Sequence, residues 1–149
     1  MKMALMILIC VLAAPPLAQQ LADEEGHGSF RVVDIYVDSK ETPLAAYQIR
    51  LSITNAGARI VGIEGGEHPA FGEPPVYDPK AMQHERVIIA AFNTGPGDEL
   101  PKGKTRVASV HIEATGDDAL QCSLKVQTAA SAEGKKIAIE ATWEERKNK

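Results

Sequence analysis

Residues 45–54 constrain the fold most, because Ala45, Tyr47, Ile49, Leu51 and Ile53 alternate with Ala46, Gln48, Arg50, Ser52 and Thr54. A period of two with one apolar phase and one polar phase is that of a strand buried on one face and wet on the other. The pattern recurs. Upstream, Val33, Ile35 and Val37 oppose Asp34, Tyr36 and Asp38, and residues 39–43 connect this run to the next. After the turn at Asn55, Ala56 and Gly57, residues 59–63 form another β-branched run. Residues 86–92 (RVIIAAF) are apolar on both phases, which predicts a strand covered on both sides rather than an edge. In residues 104–114, Ala108, Val110 and Ile112 oppose Ser109, His111 and Glu113. Cys122, Leu124, Val126 and Thr128 alternate with Ser123, Lys125 and Gln127. Past Glu133 and Gly134, the residues Ile137, Ile139, Ala141 and Trp143 continue in phase, which predicts a hairpin. About seven short strands with turns between them predict an all-β, antiparallel β-sandwich. Asp78 before Pro79 supplies an N-cap and a first-turn proline, so at most one short helix is expected, near 79–84.

The first 18 residues differ in kind. Lys2 precedes an apolar run from Met3 to Leu12, and Pro15 and Pro16 break it before Gln19. That is the pattern of a signal peptide, and about ten apolar residues fall short of the roughly 20 a membrane-spanning helix needs, so no transmembrane anchor is expected. The expected organisation is a signal peptide at 1–18, a flexible leader at 19–29, the sandwich at 30–143 and a charged tail at 144–149. Cleavage would remove Cys10 and leave Cys122 as the single cysteine, so no internal disulfide forms. Export without a disulfide points to the periplasm or exterior of a bacterium. Loss of Lys2 takes the formal net charge of −4 down by one, to about −5, which argues against nucleic acid or an anionic membrane as partner.

Chemistry-bearing constellations are sparse. His27, His68, His84 and His111 lack ligand spacing, and His84-Glu85 has Ile88 where a zinc-protease helix needs a second histidine. Gly26-His27-Gly28-Ser29 lies in the polar leader rather than at a strand-to-helix elbow. The paired carboxylates Asp98-Glu99, Asp117-Asp118 and Glu144-Glu145 read as solvated turns or tail, and Cys122 falls on an apolar phase as a buried, inert thiol. No cofactor is expected. Structural calcium on Asp34, Asp38, Asp117 or Asp118 is a minor alternative to ordinary turn aspartates.

The connection at 65–80 (GGEHPAFGEPPVYDPK) holds four prolines, three glycines, Phe71 and Tyr77. Connections of this length are functional, packed on themselves or disordered, and proline richness favours the first two. Phe71 and Tyr77, flanked by His68, Glu73 and Arg86, are therefore candidate ligand-binding residues, together with Gln48 and Arg50 on the wet strand face. The competing expectation is that both rings turn inward and plug one end of the sandwich.

The order of VVDIYVD (32–38), PLAAYQIRLSI (43–53), RVIIAAF (86–92) and LPKGKTRVASVHIEATG (100–116) resembles the cohesin-like domains and related carbohydrate-binding β-sandwiches of bacterial extracellular proteins. The resemblance spans residues 30–142, and the proline-rich loop at 65–80 departs from it. It implies a jelly-roll sandwich that binds protein or polysaccharide through a sheet face or loops. The expected function is thus a non-catalytic exported binding module for an extracytoplasmic protein or glycan. An assembly protein using edge-strand pairing is the alternative, and a polysaccharide hydrolase ranks third.

Overall fold

The structure is a computed structural model that describes residues 28–116 and 118–147. Residues 1–18, expected as a signal peptide, and most of the expected leader at 19–29 lie outside the described residues. Seven strands are found among those described: β1 (Gly28–Asp38), β2 (Leu44–Ile53), β3 (Arg59–Gly65), β4 (Arg86–Phe92), β5 (Lys104–Thr115), β6 (Cys122–Ser131) and β7 (Glu140–Glu145). Ordered strand therefore begins before residue 30 and runs past residue 143. All pairings are antiparallel, and the strands form a four-stranded sheet in the order β3-β5-β1-β7 and a three-stranded sheet in the order β4-β2-β6. Odd-numbered strands make one sheet and even-numbered strands the other, so every connection crosses the sandwich.

The apolar phases close the core between the sheets. Val33, Ile35 and Val37 of β1 and Val110 and Ile112 of β5 meet Tyr47, Ile49 and Leu51 of β2 and Val87 and Ile89 of β4. Each of these side chains is almost wholly withdrawn from water, which is the main stabilising contribution to such a fold. In β6 a register shift opposite Gln48 and Ile49 changes the phase, so Ala129 rather than Thr128 turns inward. A bulge of this kind reverses the facing of all later residues in a strand.

Three sequence expectations are corrected. The β6–β7 hairpin starts, with Ser131 N donating to Lys135 O at 2.8 Å and Ile137 N to Ala129 O at 3.0 Å, but then opens. The chain crosses instead to pair β7 with β1 in the opposite sheet. Strand β4 is an edge with Ile88 and Phe92 exposed, not a strand covered on both sides. Three single-turn 3-10 helices occur among the described residues, Pro69–Phe71, Pro79–Ala81 and Gly97–Glu99, where at most one short helix is expected. The expected one is present at Pro79–Ala81, capped by the Asp78 carboxylate accepting from Lys80 N at 2.9 Å. The polar tail also takes part in structure, since Glu144 and Glu145 belong to β7 and Arg146 reaches back to Asp34.

Candidate functional site

The outer face of the three-stranded sheet is built from the polar phase of β2 and its register partners. Ala46 lies between Phe92 and Ala130, Gln48 between Ala90 and Thr128, Arg50 between Ile88 and Lys125, and Ser52 between Arg86 and Ser123. At the first two of these rows the alanines leave a trough of about 360 Å³. Its walls include Phe92, 75% exposed, and Val76, 72% exposed. The Gln48 amide donates to Gln127 Oε1 at 2.6 Å beside the floor. Exposed large apolar side chains gathered around a concave apolar floor are the surface signature of a recognition site.

Val76 is held there by the 65–80 connection, which is packed on itself. Gly66 N donates to Phe71 O at 2.7 Å and Glu67 N to Arg106 O at 3.0 Å. A Cβ on Gly65 would lie 2.0 Å from Gly72 O, and one on Gly66 would lie 2.3 Å from Arg106 O, so the close backbone approach requires glycine at both. His68 Nδ1 accepts from Ala70 N at 3.2 Å and starts the turn that aims Phe71 inward. Phe71 is 3% exposed and meets the Tyr47 ring edge-on, with centroids 5.3 Å apart. The segment then turns outward, and Val76 pairs with Ala90 through N–H···O bonds of 2.8 and 2.9 Å, covering part of the β4 edge.

The sequence-selected residues are consequently dispersed. Phe71 is a core plug, and Tyr77 is partly buried against the core. His68 caps a turn, and Glu73 lies exposed in a recess across the Val76–Phe92 ridge from the trough. Arg86 sits at the far end of β4 in a recess shared with Asp78 and Glu85. Only Gln48 lines the trough, and Arg50 lies one row beyond it on the same face. Sequence reading misses Val76, Ala90, Phe92 and Ala130. The available signal was the small residues Ala46, Ala90 and Ala130 on outward phases beside one large ring, Phe92.

Elsewhere several titratable groups are committed to structure. On the four-stranded sheet, Asp34 accepts from Ser109 Oγ at 2.7 Å and from Arg146 Nε at 3.0 Å. Burial alone would raise the Asp34 pKa, but the hydrogen bonds from Arg146 and Ser109 outweigh it and hold the carboxyl below its ordinary value. Asp38 binds Lys40 through its backbone N–H and its ammonium, both at 2.8 Å. Asp118 offers its carbonyl to Arg31, and Asp117 lies outside the described residues, as does His27. His111 Nε2 stands 3.0 Å from Glu64 Oε1. Among the described residues no three His, Cys, Asp or Glu side chains gather to hold an ion. The Cys122 thiol is half-buried, and desolvation, with Glu145 second, pushes its pKa up to about 11, which suppresses the nucleophilic thiolate. No described helix is long and apolar enough to cross a membrane.

Comparison with family models, with curated proteins and with solved structures finds no match in any of the three.

Proposed function

We propose that this chain is an exported, non-catalytic binding module, a cohesin-like jelly-roll sandwich that recognises an extracytoplasmic protein through the outer face of its three-stranded sheet. The observation that carries this reading is the apolar trough over Ala46, Ala90 and Ala130, walled on one side by Phe92 and Val76. A floor of alanine methyl groups accepts an aliphatic or aromatic protein side chain, whereas a sugar ring is better matched by a broad aromatic platform. Protein is therefore preferred to glycan. The test compares the full chain with Val76→Ser/Phe92→Ser in capture from the host's extracellular fraction, with Phe30→Ser as control, since Phe30 is 69% exposed on the other sheet. A protein retained by the wild type and the control but lost by the double variant, with unchanged thermal unfolding, supports the reading. Retention by all three refutes it, as does turnover of any member of a glycan panel.

Assembly by edge pairing is the second reading. It is favoured by β6, an edge strand that has no partner on its outer side before Ala129 among the described residues. Concentration-dependent elution on size exclusion, abolished by Leu124→Pro, would support it, and a monomer at all concentrations would not.

A further inference from the structure

The charges of the two sheets are arranged differently. Every ion pair found among the described residues lies on or beside the four-stranded sheet, from Arg31–Glu145 to Arg146–Asp34. The outer face of the three-stranded sheet instead carries Arg50, Lys125 and Arg86, none of them in an ion pair with another described residue. Two local costs coincide at Arg50. It stands directly across from Lys125, and like charges in register destabilise a sheet. Its Nε is also buried with no hydrogen-bond partner, which carries a desolvation penalty. Such a coincidence of two breaches of local rules at one residue is characteristic of positions kept for function.

Resting on the proposed protein-binding role, we propose that the occupant of this face is an extended acidic protein segment. One apolar side chain sits on the Ala46, Ala90 and Ala130 floor, and a carboxylate about four residues along lies over Arg50 and Lys125. The spacing follows from β2 itself, since Ala46 and Arg50 are on one face and four residues of strand span about 14 Å. The carboxylate would accept from Arg50 and offset its repulsion with Lys125, a charge-assisted contact that neither residue finds among the described residues. The pattern is notable on a chain of net charge −4, because its overall field repels an acidic partner while this face attracts one.

The probe is a synthetic serine- and threonine-rich peptide with one leucine and one glutamate four positions apart, in both orders, measured against its glutamine twin by fluorescence anisotropy. The wild type should bind the glutamate peptide at least tenfold more tightly, Arg50→Gln or Lys125→Gln should erase that preference, and Phe92→Ser should weaken both peptides. Lys125→Glu should raise Tm by giving Arg50 a partner while abolishing glutamate binding. Equal binding of the twins overturns the acidic preference and leaves the protein-binding role standing. Arg50-dependent binding of polygalacturonate without peptide binding overturns the partner class, and the absence of all binding, or a lower Tm for Lys125→Glu, overturns the inference.

Discussion

Exchanging the fates of two phenylalanines separates the core from the site. Phe71 is 3% exposed with its ring against Tyr47, so Phe71→Ala removes a buried ring and leaves a void. Substitutions of this kind cost about 3–5 kcal/mol. At roughly 4 °C per kcal/mol for a domain of this size, Tm should fall by about 12–20 °C. Phe92 is 75% exposed, so about a quarter of a ring worth roughly 200 Å² is withdrawn from water. At ~25 cal/mol per Å² its truncation costs about 1 kcal/mol, a shift of only about 4–5 °C. Differential scanning calorimetry and urea titration on both variants give the comparison, with the captured protein as functional readout. Phe71→Ala should lose stability first and binding only through unfolding, whereas Phe92→Ala should lose binding while folded. A Phe71→Ala variant as stable as the wild type would refute the placement of the ring in the core.

Acid should weaken the wild type more than Asp34→Asn. The Asp34 pKa is lowered in the folded state, so its contribution is complete above the ordinary value of about 3.9 and disappears as pH falls through the lower folded value. Urea midpoints at pH 5 and pH 2.5 check this, and equal losses in both proteins would contradict it. Gly66→Ala should cost about 1–3 kcal/mol, because its Cβ meets the Arg106 carbonyl, and should expose residues 65–80 to limited proteolysis. Unchanged Tm and digestion pattern would show that the loop is not held by that contact. Alkylation of Cys122 by iodoacetamide at pH 8, read on its own peptide, should be slow in the native protein and accelerate in denaturing urea, given a thiol pKa near 11. Equal rates would mean the thiol is not shielded.

The strands were legible where one face is wet. In β2 the burial follows the alternation of Tyr47, Ile49, Leu51 and Ile53, whereas in β1 and β5 it is interrupted where Asp34 and Ser109, on the polar phase, are buried and hydrogen-bonded to Arg146. Alternation reports which side chains are buried but not which sheet buries them, so Ile137 to Trp143 could read as a hairpin strand while β7 pairs with β1. Continuous apolarity in RVIIAAF reads as double coverage, yet here the outward residues Ala90 and Phe92 line an open apolar trough. The loop misled for a related reason. Its prolines and ring residues showed that the segment is ordered, but whether Phe71 or Val76 faces water depends on the His68-capped turn and the Ala90 bridge. Gln48 and Arg50 were accessible to sequence reasoning because a central strand with a single wet phase leaves no other direction for them.

The division of odd and even strands between the sheets has a kinetic consequence. No two consecutive strands share a sheet, so the described residues contain no completed local hairpin from which to nucleate. Even β2 and β4 must close across β3 and the whole 65–80 connection, and Asp34 meets Arg146 only across 112 residues. Loop closure of that extent precedes any reward from pairing, which makes folding slow and leaves strand edges open until the C-terminal strand is available. A chain with this wiring acquires its two sheets together, once the last strand is in place.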